Sequence, residues 1–540
     1  MDRTNRGRIV RGLAMTLAAA VGGSLTIAPA IADDVTAEAP TVSWGACPKD
    51  VADEAVGMQC AEVPVPLDYD QPDGTKITVM ISRVASAKPA DRLGVLMLNP
   101  GGPGLALSQP ADMINLGLPT SVTDSYDLIG MDPRGIGHST PVHCGFTAEE
   151  DYRGNVAPWA KDAAAVARQA KAAKAVAERC AANDKDSILP HLSTANIARD
   201  MDHIRGLLGE KKISYYGASY GTALGSTYAS MFPERTDRVV IDSNLGATTS
   251  NRASIRRFGL GMEDRFGDFA TYLAERHDSY GLGRTPGQVR KNYLAMGEKL
   301  DQQPIAGVDG ALFRFTTFAS LYGDSSFLPQ ARLWQSLVDG DESAVRRNLD
   351  HDQLAGAPGV PPVSDPTSRA AEPSPYDNIW SAYLGITCND SPFPRDVRTY
   401  QRDVAQDRKR YPLFGAASAN ITPCAYWPEP AEKPATITDD GPANILILQN
   451  LRDPATPHRG GELARAKFGD RARLVSIDQG GHGAYVYNDN ACGLDVTTSY
   501  LVDGTFPDDD VFCPATKGSG LKLDAAGKQR RADTLKRLDR

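Results

Sequence analysis

The apolar and polar positions along the chain predict strands that alternate with helices. A continuous apolar run, typical of a strand covered on both faces, occurs at residues 93–98, and shorter, largely apolar runs at 126–131, 213–216, 238–241 and 444–448 predict further strands. Residues 158–183 are alanine-rich, and residues 193–209 carry apolar side chains at helical spacing. Because strands that alternate with helices form parallel sheets with helices on both faces, we expect a mostly parallel, doubly wound α/β fold.

Two parts of the chain depart from this alternation. Residues 76–84 alternate apolar and polar side chains after a turn-rich stretch, which predicts an antiparallel hairpin at the sheet edge. Between residues 246 and 440, helical stretches with tryptophans and tyrosines replace the strands. We interpret this segment as a helical cap inserted into a core that comprises residues 33–245 and 441–540.

Ser219 is the candidate nucleophile. Gly217, Ser219 and Gly221 spell GxSxG between the apolar run at 213–216 and a helix-permissive segment at 222–231. Such a strand-to-helix turn is tight and strains the serine, so side chains two residues away on either side would collide with the neighbouring chain. With 50 glycines the chain can produce this motif by chance, and the alternative is an ordinary glycine turn.

The partners of the nucleophile are expected after the cap, because the chain order in this architecture is Ser, then Asp or Glu, then His. Asp453 follows the run at 444–448, and His482 lies in a glycine-flanked loop after the next strand. His458 and Asp478 are the competitors: His458 lies too close to Asp453 in one loop, and Asp478 has no turn to aim it. We prefer the pair Asp453 and His482.

A glycine-rich turn, residues 99–104, follows the strand at 93–98. In this fold the turn supplies one backbone N–H to an oxyanion, and the residue after the nucleophile supplies the second. We assign these two amides to Gly102 and Tyr220. A glycine turn without a catalytic role is the alternative.

The eight cysteines fall into neighbouring couples, which predicts four local disulfides. The expected pairs are Cys47 with Cys60, Cys144 with Cys180, Cys388 with Cys424, and Cys492 with Cys513. A zinc site is disfavoured because the sequence contains neither CxxC nor HExxH. We expect no metal and no cofactor.

Residues 1–32 predict a secretory signal peptide. Four arginines precede an apolar run at 13–27, and residues 30–32 form an AxA cleavage site. The alternative, a membrane anchor, is disfavoured because the run is interrupted by two glycines and a serine, and no later stretch approaches the roughly 18 apolar residues of a spanning helix. We therefore expect a secreted protein, extracellular or at the cell surface, without a transmembrane segment.

The net charge is −9, and −12 without residues 1–32, which carry four arginines and one aspartate. So acidic a chain argues against a nucleic-acid partner. The basic tail at residues 517–540 is interpreted as a solvated helix, with loose contact to an anionic cell wall as the alternative. We expect a monomer.

Taken together, NPGGPG, DPRGxGxS, the segment around Ser219, LRDPATP and GGHG resemble the secreted tripeptidyl aminopeptidases of actinobacteria, including the mycelium-associated proteinases. These are α/β-hydrolase relatives of proline iminopeptidase. The resemblance runs from about residue 42 to 513 and implies an α/β-hydrolase fold with a C-terminal domain of the TAP type. It places Ser219, Asp453 and His482 at the triad positions and Gly102 and Tyr220 at the oxyanion amides. Asn99 stands where proline iminopeptidases usually have a histidine, so their substrate preference is not transferred.

The expected function is a serine exopeptidase that releases one to three residues from peptides with a free N-terminus through an acyl-enzyme. The alternatives are a secreted esterase or lipase with the same triad, and a catalytically silent binding protein. An exopeptidase must compensate the buried ammonium group of its substrate, so a carboxylate should face the cleft. Asp390 is the first candidate and Asp242 the second, although each could equally be a loop aspartate or a helix cap.

Overall fold

The structure, a computed structural model, describes residues 42–52, 57–147, 156–349, 375–516 and 519–538. The predicted signal peptide lies outside these residues. The described part contains one sheet, with strands β1 (Gln59–Pro66), β2 (Lys76–Val84), β3 (Gly94–Asn99), β4 (Tyr126–Met131), β5 (Ile213–Ala218), β6 (Thr236–Asp242), β7 (Ile445–Arg452), β8 (Ala472–Gly480) and β9 (Val511–Cys513).

The strand order is β1-β2-β4-β3-β5-β6-β7-β8-β9. β1 pairs antiparallel with β2, and β2 antiparallel with β4, which confirms the predicted hairpin at the edge. All later pairs are parallel. The predicted fold class, an α/β-hydrolase, is thereby confirmed, and the carboxyl ends of β3 to β8 lie along one edge of the sheet.

The helices of the described residues are α1 (Lys49–Ala52), α2 (Gln109–Leu116), α3 (Thr120–Ser125), α4 (Ala163–Asn183), α5 (Thr194–Leu207), α6 (Tyr220–Met231), α7 (Arg252–Arg256), α8 (Phe258–Glu275), α9 (His277–Tyr280), α10 (Pro286–Gln302), α11 (Gly310–Ser320), α12 (Phe327–Asp339), α13 (Glu342–Leu349), α14 (Pro375–Asn389), α15 (Val397–Arg410), α16 (Gly415–Ser418), α17 (His458–Phe468), α18 (Ala491–Asp503) and α19 (Ala525–Leu538). In the described part, no helix combines the length and apolar character needed to cross a membrane.

The core lies on both faces of the sheet. Successive residues of β3 belong to opposite sides: Val95 and Met97 pack in one apolar cluster, Leu96 and Leu98 in another. This explains the uninterrupted apolar run of the strand, since neither face meets water. The helices α7 to α16 all lie in the segment between β6 and β7.

Four disulfides join elements that are close along the chain, in the four pairs expected from the sequence. They are Cys47–Cys60, Cys144–Cys180, Cys388–Cys424 and Cys492–Cys513. Cys388–Cys424 ties the end of α14 to the segment after α16. The other three lie within the parts of the chain that surround the sheet.

Helix α19 packs on the protein, which corrects the interpretation of the tail as a solvated helix. The guanidinium of Arg531 donates to the carbonyl oxygens of Leu116 at 2.5 Å and Tyr487 at 3.0 Å. Arg537 pairs with the buried carboxylate of Asp112. Two guanidinium groups of the tail are thus bound to acceptors elsewhere in the protein.

Candidate active site

Ser219 lies at the turn from β5 into α6, with φ 55° and ψ −119°. This conformation is strained for a residue with a side chain, and its surroundings must hold it. The backbone N–H of Ser219 donates to the carbonyl oxygen of Asp242 at 2.9 Å. A Cβ on Gly217 would lie 2.5 Å from the carbonyl oxygen of Gly221, and one on Gly221 would lie 2.7 Å from that of Asn99. Both glycines are therefore required by close packing, as the motif predicts.

His482 and Asp453 meet at the ends of β8 and β7. Nδ1 of His482 lies 2.9 Å from Oδ2 of Asp453. The other hydrogen bonds of Asp453 come from Ala455 N at 2.9 Å, Thr456 N at 2.8 Å and Thr456 Oγ1 at 2.8 Å. These bonds fix the carboxylate, and an Nδ1–H that donates to it leaves Nε2 free to accept a proton.

The pKa of His482 is raised above its usual 6.5. Burial of the ring acts to lower this pKa, but the charge and hydrogen bond of Asp453 outweigh burial, and the charge of Asp242 adds to them. The imidazolium form is therefore stabilised at this position.

The glycine turn after β3 packs against Ser219. A Cβ on Gly101 would be 2.6 Å from the carbonyl oxygen of Ala218 and 2.7 Å from Cβ of Ser219. The N–H of Gly101 donates to Oδ1 of Asn99 at 3.0 Å, whereas the N–H of Gly102 has no acceptor among the described residues. Tyr220 is the first residue of α6, so its N–H has no partner within the helix. Both expected oxyanion amides are thus available, and sequence reasoning missed the packing role of Gly101.

Asp242 is fully buried, and the expectation that it faces the cleft is wrong. Its carboxylate accepts the N–H groups of Ala484 and Tyr485, each at 2.9 Å, and the hydroxyl of Tyr216 at 2.7 Å. Burial raises its pKa despite these bonds. Asp242 therefore attaches the loop after His482 to the end of β6. This loop is within reach because β6, β7 and β8 are parallel neighbours whose carboxyl ends lie at the same edge of the sheet.

Asp390 is 2% exposed and does not line the cavity whose walls contain Ser219, so the structure contradicts the expectation that it faces the cleft and reads the substrate amine. Its Oδ1 accepts the N–H of Thr194 at 2.8 Å, and its Oδ2 accepts the Thr194 hydroxyl at 2.5 Å. The carboxylate therefore binds the first residue of α5. Neither proximity to Cys388 nor the aromatic neighbourhood of Asp390 in the sequence reveals this partner.

Two further contacts hold the histidine loop and were not anticipated. Tyr322, in the segment between β6 and β7, accepts the N–H of His482 on its carbonyl oxygen at 2.8 Å, and its ring lies edge-on to the imidazole with centroids 5.0 Å apart. Nδ2 of Asn450 donates to the carbonyl oxygens of Gly481 at 3.0 Å and Gly483 at 2.9 Å. The loop is therefore held from both the core and the helical segment.

The competitors of the chosen pair have other partners. Nε2 of His458 lies 2.8 Å from Oγ of Ser476, and burial lowers the pKa of this histidine. His458 is not part of the cavity lining, whereas Asp478 lines the cavity and accepts Arg452 at 2.7 Å.

A cavity of about 1270 Å³ contains Ser219, Tyr220, Gly102 and His482 in its walls. Helices between β6 and β7 supply much of the remaining lining, including Ile255, Phe258, Arg265, Tyr272, Phe327 and Tyr383. The candidate nucleophile, the candidate base and the two candidate amide donors thus share one recess, and the carboxylate of Asp453 lies behind the base; these are the groups needed for acyl transfer.

Three carboxylates of this cavity lie near the histidine loop: Asp478, which the sequence offered only as a competitor for the triad, and Asp268 and Asp324, which sequence reasoning missed. Asp268 accepts Nε of Arg452 at 2.9 Å, and Arg265 pairs with Asp268 and Asp324. All of these residues and Asp478 line the cavity. Three carboxylates and two guanidinium groups give this cluster a net charge of −1.

A family model described as TAP-like protein matches residues 411–513, the part that contains Asp453 and His482. The chain is 33% identical over 465 residues to a tripeptidyl aminopeptidase from Streptomyces lividans, with 84% of this chain and 83% of the relative covered. It is 28% identical over 474 residues to serine protease Hip1 from Mycobacterium tuberculosis, covering 85% and 87%. It is also 31% identical over 487 residues to carboxylesterase B from Mycobacterium tuberculosis, covering 88% and 90%.

Proposed function

Because this chain belongs to the tripeptidyl aminopeptidase family of α/β-hydrolases, we propose that it is a serine exopeptidase. It releases fragments of three residues or fewer from the N-terminus of peptides. The observation that carries the proposal is that His482, which pairs with the buried carboxylate of Asp453, lines the cavity that also contains the strained Ser219.

In this mechanism the Ser219 hydroxyl attacks the scissile carbonyl carbon while Nε2 of His482 takes its proton. Asp453 keeps the other ring proton on Nδ1 and stabilises the imidazolium. The amides of Gly102 and Tyr220 donate to the oxyanion of the tetrahedral intermediate. His482 then protonates the leaving amine, an acyl-enzyme remains, and water activated by His482 hydrolyses it.

The helices between β6 and β7 act as a cap in this proposal, with the limits of residues 246–440 expected from the sequence. They contribute apolar and aromatic walls over Ser219. A covered recess admits an extended chain end but not a folded protein, which favours peptides over intact proteins as substrates. The ammonium group of the substrate would meet the net negative cluster of Asp268, Asp324 and Asp478 rather than Asp390 or Asp242.

Substrate length and N-terminal blocking test this proposal. Tripeptidyl p-nitroanilides with a free amine should be cleaved with higher kcat/KM than their N-acetylated forms, and mass spectrometry should detect N-terminal fragments released from longer unblocked peptides. A Ser219→Ala variant is the control for contaminating hydrolases. Cleavage of blocked and unblocked peptides at equal rates would contradict the exopeptidase assignment.

A second candidate, an esterase, is favoured by the 31% identity to carboxylesterase B. The same triad hydrolyses esters, so short p-nitrophenyl esters belong in the same panel. An esterase would act on the esters and leave every peptide intact. Failure of a fluorophosphonate to label Ser219 would instead favour a catalytically silent binding protein.

We further propose that the protein is exported, that its signal peptide is cleaved after residue 32, and that the mature protein is a monomer. Four disulfides favour an oxidising compartment. N-terminal sequencing of protein recovered from the culture medium tests the cleavage, and light scattering tests the mass.

A further inference from the structure

Three buried polar side chains form a continuous path from the cap to the residue after the nucleophile. Oδ2 of Asp390 accepts the Thr194 hydroxyl at 2.5 Å, and Oγ1 of Thr194 lies 2.7 Å from the hydroxyl of Tyr220. All three residues are at most 2% exposed. The path ends at the side chain of Tyr220, whose backbone amide is one of the two oxyanion donors proposed above.

The cap end of the path is fixed by its own contacts. Asp390 directly follows α14, whose Cys388 is bonded to Cys424. Nδ2 of Asn389 donates to the carbonyl oxygens of Leu189 at 2.6 Å and Leu192 at 2.8 Å. The end of α14 is therefore attached to the segment that leads into α5, and Asp390 is presented to Thr194 at a defined position.

The catalytic end needs such support. Ser219 has a strained backbone, and an oxyanion donor works only when its N–H lies at about 2.7–3.1 Å from the oxyanion. A small rotation of the first turn of α6 would move the amide of Tyr220 out of that range. The ring of Tyr220, held at its hydroxyl, resists this rotation.

We propose that Asp390 is a positioning residue for hydrolysis, which acts through Thr194 and the Tyr220 hydroxyl to hold the Tyr220 amide at the oxyanion. This inference rests on the proposed serine hydrolase function. The geometry of the oxyanion site would then depend on how the cap packs against the core, because one end of the path directly follows α14 and the other lies in α6.

The direction of the hydrogen bonds follows from the charge of Asp390. When Asp390 is ionised, the single hydroxyl proton of Thr194 goes to the carboxylate, so the Tyr220 hydroxyl must donate to Thr194. When Asp390 is protonated, it donates to Thr194, and Thr194 donates to Tyr220. The ionised arrangement contains the stronger, charge-assisted bond.

The charge of Asp390 changes near neutral pH. Burial raises its pKa to about 7, the bonds from Thr194 act to lower it, and the charge of Glu432 acts to raise it. Glu432 is itself paired with Arg199 at 2.7 Å. The path should therefore be in its stronger form above about pH 7 and in its weaker form below it.

Asp390→Asn tests this inference, because an asparagine can make the bonds of the protonated acid but cannot ionise. At pH 8 we expect kcat on an unblocked tripeptidyl p-nitroanilide to fall about 10-fold with KM changed less than 3-fold, the scale for losing one charge-assisted bond. The ratio of wild-type to variant kcat should approach 1 as the pH falls to 6. A purely structural role would give a ratio independent of pH.

Tyr220→Phe removes only the hydroxyl at the far end of the path and decides the question if Asp390→Asn fails to fold. It should lower kcat by a similar factor at pH 8, and the double variant should be no worse than Tyr220→Phe alone. Thr497→Val is the matched control: the buried Thr497 hydroxyl also donates to a main-chain oxygen, that of Gly493 at 2.7 Å, but it lies in α18, away from the path and outside the cavity lining, so kcat should be unchanged.

Two kinds of failure are separable. If wild-type Ser219 is neither labelled by a fluorophosphonate nor active on peptides and esters, the proposed function fails. If the wild type is active but Asp390→Asn and Tyr220→Phe keep wild-type kcat at pH 8, or if additive losses appear in the double variant, the positioning role is refuted.

Discussion

Replacement of Asp453 by asparagine probes the contact on which the site depends. The variant keeps the shape of the side chain but loses the charge that lies 2.9 Å from Nδ1 of His482. At separations of about 3–4 Å and an effective dielectric constant of about 20, the attraction between a carboxylate and an imidazolium is about 4–5.5 kcal/mol. At 1.36 kcal/mol for each factor of ten, kcat should fall by about 10³- to 10⁴-fold.

The pH profile gives a second readout of the same change. Asp453 keeps the pKa of His482 above 6.5, and the enzyme needs the neutral ring as base, so wild-type activity should rise with pH through a midpoint above 6.5. The contribution of the charged pair to folding stability has the opposite pH dependence. This contribution is complete below pH 6.5 and is lost as the pH rises through the raised pKa of His482. In Asp453→Asn the midpoint of the residual activity should move to lower pH.

The assay is hydrolysis of an unblocked tripeptidyl p-nitroanilide between pH 5 and 9, with active sites counted by fluorophosphonate labelling. Asp510→Asn is the control, because Asp510 also accepts a backbone N–H, from Leu474 at 2.9 Å, but lies outside the cavity lining. The control should stay within about 2-fold of wild type. A loss of less than 10-fold in Asp453→Asn, or a midpoint that moves to higher pH, would refute the reasoning.

Three further predictions follow from the same geometry. Ser219→Ala and His482→Ala should each lower kcat by on the order of 10⁴-fold or more, and the double variant should lose no more than either, because the residues act as a unit; retained activity in Ser219→Ala would end the proposal. Gly101→Ala should lower kcat at least about 10-fold with unchanged secondary structure by circular dichroism, since the new Cβ would lie 2.6 Å from the carbonyl oxygen of Ala218 at a φ of +102°; a fully active variant would contradict this packing. Replacing Cys388 and Cys424 by serine removes a cross-link over 36 positions worth about 3–4 kcal/mol in the chain-entropy model. The variant should show a changed KM or peptide selectivity under conditions where the core is still folded. If KM changes only together with a fall in melting temperature, the bond stabilises the core instead.

Much of this protein is determined by local sequence. The apolar run at 213–216 followed by GxSxG predicts a buried strand and a tight turn, because strand burial and glycine geometry depend on neighbours along the chain. The predicted pairs of cysteines are close in sequence, and so are the disulfides. The order of Ser219, Asp453 and His482 follows from topology, since parallel strands deliver their following loops to the same edge of the sheet.

The tertiary structure decided the partners of the remaining polar groups. Asp390 and Asp242 had the residue type expected for an amine site, yet one bonds Thr194 and the other the loop after His482, at separations of 196 and 242 positions. A buried carboxylate takes whichever donors the packing of distant elements brings to it, and no periodicity in the sequence encodes that choice. The docking of α19 through Arg531 has the same cause, because its acceptors are backbone carbonyls that become neighbours only when the chain is folded.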